Sequence, residues 1–110
     1  MRREFVSANA FLRNWAAVGL GDAELRELER ILIENPNAGA VIPHLSGARK
    51  LRVALEGRGK SGGAWVVYVD VVVRERIYLL TAYPKNVQTD LSNEQRKILH
   101  DLITELKEGK

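Results

Sequence analysis

Cysteine is absent from this chain of 110 residues, and histidine occurs twice, proline three times and methionine once. Without cysteine the chain forms neither disulfides nor thiolate sites. No apolar run approaches the ~20 residues that a membrane-spanning helix needs. The N-terminal sequence MRREFVSANA also lacks the apolar segment of a signal peptide. These absences predict one cytoplasmic domain over residues 1–110, with no membrane contact, metal or cofactor.

The chain has a small excess of positive charge, and the distribution of charged residues along the sequence is more informative than the net value. The net charge is +3. Residues 22–34 carry five acids against two arginines, whereas residues 47–63 carry one acid against five basic residues: Arg49, Lys50, Arg52, Arg58 and Lys60. A local cationic patch is a candidate contact for phosphates, and a solvated hairpin is the alternative.

Hydrophobic spacing predicts the order strand, helix, helix, three strands, helix. EFVS is the first strand, and the helices ANAFLRNWAAVG and AELRELERILIEN follow, with Ser7 and Asp22 as their expected N-caps. The last helix begins at SNEQ, where Ser92 and Gln95 have the spacing of a capping box.

The three central strands are expected to form an antiparallel meander, which makes the fold α+β. ARKLRVAL alternates, so Lys50 and Arg52 share a polar face, whereas AWVVYVDVVV is apolar at nearly every position and belongs at the centre of the sheet. RIYLLTAY returns beside it. We expect the helices to cover one sheet face and to leave the other, with Lys50 and Arg52, partly open.

Standard catalytic motifs are missing from the sequence. The glycine-rich GRGKSGG superficially resembles a phosphate-binding loop, but a strand follows it where a Walker loop requires a helix. His44 and His100 are far apart in the chain, and we interpret each as a surface residue.

The remaining chemistry is cationic. Lys50 and Arg52 lie on one strand, and Lys85 follows the last strand beside Tyr83. Metal-free RNA cleavage needs a proton acceptor for the 2′-hydroxyl, a proton donor for the leaving oxygen and a cation beside the phosphorane. Lys, Arg and Tyr are able to fill these roles; the alternative is that these cations hold phosphates only, or face water.

The stretch from Gly47 to Leu91 resembles the HigB-like branch of the RelE/ParE toxin superfamily. The matching pieces are GARKLRVALEGRGKSGGA, VVYV and IYLLTAYPKNVQTDLS. The resemblance implies a RelE/ParE-like fold and the toxin component of a bacterial type II toxin–antitoxin module, typically a ribosome-dependent mRNA endonuclease. It also implies a cognate antitoxin, commonly of helix-turn-helix type, through which alone the toxin would reach operator DNA.

The same resemblance assigns roles to individual residues. It implies that Lys50 and Arg52 grip and polarise the RNA backbone, with Lys85 as a further cation. The residues that it implies for contact with RNA are Arg49, Arg58, Lys60, Tyr68 and Tyr83.

Trp65 departs from the pattern of the family. In this branch the turn continues Gly-Gly-x-Arg and later Tyr-Tyr, whereas this chain has Trp65 in place of the arginine and Val69 in place of the second tyrosine. An indole carries no charge and cannot stabilise a phosphorane as a guanidinium does. The substitution predicts a weakened or inactive nuclease, whether it arose by natural divergence or by detoxifying selection during cloning.

Two roles for the Trp65 ring and three functions for the chain stay open. Trp65 either stacks on a nucleobase or packs at the start of its strand. The chain is then either an active toxin, or a catalytically inactive relative that only binds its antitoxin. A ParE-like topoisomerase inhibitor is a further alternative, and the basic strand pair favours RNA over it.

Overall fold

The computed structural model describes residues 3–54, 63–88 and 90–109. The helices are α1 (Asn9–Val18), α2 (Asp22–Glu34) and α3 (Asn93–Glu108). The strands are β1 (Glu4–Ser7), β2 (Ala40–Val41), β3 (Arg49–Val53), β4 (Ala64–Val71) and β5 (Arg76–Pro84). Within these described ranges, no helix has both the length and the apolar character of a membrane span.

The strands form one five-stranded sheet in the order β1-β5-β4-β3-β2. β1 pairs in parallel with β5, and the other neighbours are antiparallel. The predicted meander and the central place of β4 are confirmed, and the two-residue β2 is an addition. The valines at 72 and 73, predicted as the end of the strand, instead lie exposed in a 3-10 turn.

Helices cover both faces of the sheet, so the prediction of one open face is wrong. On one face, Phe11 of α1 and Leu32 of α2 pack with alternate residues of β4 and β5, whereas Ile103 of α3 packs against the other set, including Val67 and Val69. β4 is apolar on both faces, and each face needs its own covering layer.

Of the three predicted N-caps, one is confirmed, at α3. Ser92 and Gln95 form the predicted capping box of α3, with the Ser92 N–H donating to Gln95 Oε1 at 2.8 Å. The expected caps Ser7 and Asp22 are wrong, because α1 begins after Ala8 and α2 after Gly21. Glu24, the third residue of α2, accepts the Gly21 N–H at 2.6 Å, which is the N3 half of a capping box; Gly21 has no side chain to supply the other half.

Tyr68 ties the sheet to the loop that follows α2. The ring is fully buried, and its hydroxyl accepts the Gly39 N–H at 2.9 Å and donates to the Pro36 carbonyl at 2.7 Å. Gly39 is itself buried, and a Cβ there would lie 2.7 Å from the Lys50 carbonyl oxygen and 2.9 Å from the Tyr68 ring. This close approach requires glycine and places β2 beside Lys50.

An ion pair anchors the N-terminal strand. Arg3 Nε lies 2.7 Å from Asp70 Oδ1, and Arg3 Nη2 lies 3.3 Å from Asp70 Oδ2. Both side chains are largely buried, at 11% and 15% exposure. The pair joins the start of the chain to the central strand β4 and holds β1 at the sheet edge.

Raising the pH above about 10 is expected to destabilise the fold. Burial raises the pKa of both Tyr68 and Tyr83 from their ordinary value of 10.0. A raised folded-state pKa contributes stability that is complete below pH 10.0 and is lost as the pH climbs through the folded-state value. Melting temperatures across this range check the prediction. It fails if the double variant Tyr68→Phe, Tyr83→Phe loses as much stability over that range as the parent chain.

Candidate active site

The register of β3, β4 and β5 brings four of the predicted site residues onto one sheet face. Arg52 pairs with Trp65, and Trp65 pairs with Tyr83 on the next strand. Lys50 lies two residues before Arg52 and therefore on the same face. This is the face that α3 covers, and the residues lie at the end of the sheet where α3 begins. We call Lys50, Arg52, Trp65 and Tyr83 the cationic cluster.

Lys50 makes two contacts that define the cationic cluster. Its Nζ lies 4.6 Å from the centroid of the Trp65 ring, a cation–π contact. The same Nζ lies 2.8 Å from Asp90 Oδ1. The Lys50 hydrogen bond and charge lower the pKa of Asp90. Asp90 is 72% exposed, so water screens the pair and its carboxylate is free to move away.

The rings of Trp65 and Tyr83 pack against the hydrophobic core on the α3 side of the sheet. Trp65 packs against the apolar core beneath α3, and its Nε1 is buried with no hydrogen-bond partner among the described residues. Tyr83 is 5% exposed, and burial, followed by the Asp90 charge, raises its pKa. The partly buried indole therefore contacts the core and the Lys50 ammonium, and the buried Tyr83 ring is not open to a base.

Two predicted RNA-contacting residues lie away from the cationic cluster. Tyr68 is buried on the opposite face, held by Gly39 and Pro36, so its ring is not open to a base. Arg49 also lies on that side and donates to the carbonyl of Gly39 at 2.8 Å. Strand alternation separates both from the cluster.

The remaining predicted residues lie near the cluster, at exposed positions, or outside the described part of the chain. Lys85 follows β5 at the cluster's end of the sheet, and its N–H donates to the Gly63 carbonyl at 3.0 Å. Arg58 and Lys60 lie outside the described residues. His44 and His100 are exposed, as predicted.

Asp90 contacts the cationic cluster but is not among the site residues predicted from the sequence. It lies in the loop between β5 and α3, six residues after Pro84. In a loop no hydrophobic periodicity indicates which residue a side chain will contact. The Asp90 carboxylate occupies one side of the Lys50 ammonium, which is where an anionic ligand would bind.

Two solved structures share this architecture, whereas no sequence model of a known protein family matches the chain. The free E. coli toxin RelE, as a double arginine-to-alanine mutant, aligns with a TM-score of 0.56 and 16% identity over 80% of this chain and 88% of RelE. A chain of the intact E. coli RelBE toxin–antitoxin complex aligns with a TM-score of 0.53 and 15% identity, over 76% of this chain and 95% of that chain. The chain therefore has the α+β fold of the toxin RelE.

Proposed function

We propose that this chain is the toxin of a type II toxin–antitoxin module, an mRNA endonuclease of the HigB-like branch that acts on the ribosome in the cytoplasm. The observation that carries the proposal is the cationic cluster, in which Lys50 and Arg52 stand side by side on the sheet of a RelE-like fold. Paired cations on a rigid strand suit the phosphates of an RNA backbone.

The partners in this proposal are the ribosome with its mRNA, and a cognate antitoxin of helix-turn-helix type. The E. coli neighbour was solved as a toxin–antitoxin complex, which supports an antitoxin here. Operator DNA would be reached only through that antitoxin.

A second candidate function has its own support. An antitoxin-binding protein without nuclease activity is favoured by Trp65, which supplies no charge at the position where the resemblance expects arginine, and by Asp90, which pairs with Lys50 and competes with phosphate for it. Trp65 packs against the core and contacts Lys50, which supports a structural role for its ring rather than stacking on a base.

Primer extension on a message translated by purified ribosomes tests the proposal. Site-specific cleavage that disappears in Lys50→Met and Arg52→Met supports the nuclease. The absence of cleavage together with tight binding of an antitoxin encoded by the neighbouring reading frame supports the second candidate. Inhibition of a topoisomerase without RNA cleavage would contradict both.

Replacing Asp90 with asparagine is expected to tighten RNA binding severalfold. The substitution keeps the size of the side chain and removes the negative charge that competes with phosphate for Lys50. Fluorescence anisotropy with a short single-stranded RNA at fixed salt measures the change. Asp101→Asn, an exposed acid on α3, is the matched control for net charge. Equal tightening in both variants would attribute the effect to overall charge and contradict a specific role of Asp90.

A further inference from the structure

A small cleft adjoins the cationic cluster at the far end of β5. It has a volume of about 250 Å³, and it lies between α1, the end of β5 and the first turn of α3. That space suits one flat ring system and is below the usual size of sites for larger ligands.

The walls of the cleft combine apolar surface with two amides. Val18, Ala82 and Pro84 are among the apolar lining residues, and Asn14 and Gln95 supply the amides. Apolar walls with a few placed polar groups are the usual lining of small-molecule sites.

Both amides are held in place by hydrogen bonds that leave their other ends unused. Asn14 Nδ2 donates to Thr81 Oγ1 at 2.9 Å, and Gln95 Oε1 accepts from the Ser92 N–H at 2.8 Å and from Gln88 Nε2 at 3.0 Å. Among the described residues, neither Asn14 Oδ1 nor Gln95 Nε2 takes part in a hydrogen bond. Each amide residue that lines the cleft therefore keeps one unused group, an acceptor on Asn14 and a donor on Gln95.

Tyr83 connects the cleft to the cationic cluster. It lines the cleft and pairs across the sheet with Trp65, whose ring supports Lys50. The two cations of the cluster lie on β3, two strand spacings or about 10 Å from β5. An RNA strand whose phosphate contacts Lys50 or Arg52 therefore has the cleft within reach of a nearby base.

We propose that the cleft bounded by Asn14 and Gln95 receives a single unstacked RNA base, and that these two amides contribute to base preference. The Watson–Crick edges of adenine and cytosine present an exocyclic donor beside a ring acceptor, whereas those of guanine and uracil present an exocyclic acceptor beside a ring donor. A fixed acceptor on Asn14 and a fixed donor on Gln95 therefore distinguish one pair of bases from the other. This inference rests on the proposed contact of the cationic cluster with RNA, and it adds a site for base readout.

Titration of the ¹⁵N-labelled chain with each of the four nucleoside monophosphates tests the proposal by NMR. The side-chain amide signals of Asn14 and Gln95 are expected to shift with at least one nucleotide and to stay in place with inorganic phosphate at the same concentration. Shifts confined to residues around Lys50, or shifts that phosphate alone reproduces, would overturn the base site.

Two variants examine the same site with RNA. Gln95→Glu keeps the oxygen that caps α3 and removes the donor, and Asn14→Ala removes the acceptor. Each is expected to reduce the difference in affinity between homopolymeric oligonucleotides by about fivefold or more. Asn93→Ala, an exposed amide in the first turn of α3 that is not among the residues lining the cleft, is expected to change nothing.

The outcomes separate this inference from the proposed function. If the parent chain binds RNA and cleaves a translated message, but its base preference is unchanged in both variants, the cleft is not a base site. If the parent chain binds no RNA at all, the proposed function fails, and nucleotide-dependent shifts at Asn14 and Gln95 still decide whether the cleft takes a base.

Discussion

Trp65→Arg is expected to raise the rate of ribosome-dependent mRNA cleavage by about 10²–10³, the usual effect of one transition-state charge contact. The parent chain has a neutral indole at this position, packed beneath Lys50. A guanidinium supplies charge and several donors in a fixed fork, which matches the oxygens of a phosphorane. The register places the new side chain between Arg52 and Tyr83, within the cationic cluster.

The substitution also has a structural cost. Trp65 covers part of the apolar core, and an arginine there brings a third positive charge beside Lys50 and Arg52. Melting temperature must therefore be measured alongside cleavage. A gain in cleavage in a chain that melts at lower temperature separates the chemical effect from a gain in stability.

Two further variants test whether charge and geometry are the cause. Trp65→Met removes the ring without adding charge and should cleave no faster than the parent chain. Trp65→Lys adds charge without the planar fork and should recover only part of the rate. Folded Trp65→Arg protein that cleaves no faster than the parent chain would show that the tryptophan is not the cause of weak activity.

Gly39→Ala is expected to lower the free energy of unfolding by about 2–3 kcal/mol, near the upper end for an overpacked site. The added methyl would lie 2.7 Å from the Lys50 carbonyl oxygen, which is backbone and cannot rotate away. It would also press on the Tyr68 ring, whose hydroxyl bonds the Gly39 N–H. Relief of the clash requires β2 to move from β3 or Tyr68 to leave its buried position.

Urea unfolding measures this change, and Gly21→Ala is the matched control. At Gly21 the nearest neighbour of an added Cβ is Glu24 Oε1 at 3.4 Å, and φ is −125°, which any residue adopts. The control should change stability by less than about 0.5 kcal/mol. Similar losses in the two variants would attribute the effect of Gly39→Ala to glycine replacement in general.

Much of the architecture follows from hydrophobic spacing. The apolar run from Trp65 to Val71, interrupted by Asp70 alone, predicts a strand with neighbours on both sides, and β4 has them. The alternation of β3 predicts that Lys50 and Arg52 share a face, as they do. Each of these predictions uses the hydrophobic pattern of a single strand, which can be determined from the sequence alone.

Other features depend on relations between elements. The apolar stripe of α3 predicts a buried face, but it does not state which side of the sheet receives it. The salt bridges Lys50–Asp90 and Arg3–Asp70 join residues far apart in the chain, so no local pattern predicts them. The separation of Tyr68 from Trp65 was predictable, since residues three apart on a strand point to opposite faces.

The parallel pairing of β1 with β5 has a consequence for the synthesis of the protein. Glu4 lies opposite Arg76, so the first strand to leave the ribosome has no partner until residues 76–84 have followed it. Closing so long a loop is an entropic cost paid late in folding. The nascent chain therefore exposes an incomplete sheet during most of its translation. A protein proposed to act on ribosomes therefore completes its five-stranded sheet only after its own ribosome has synthesised β5.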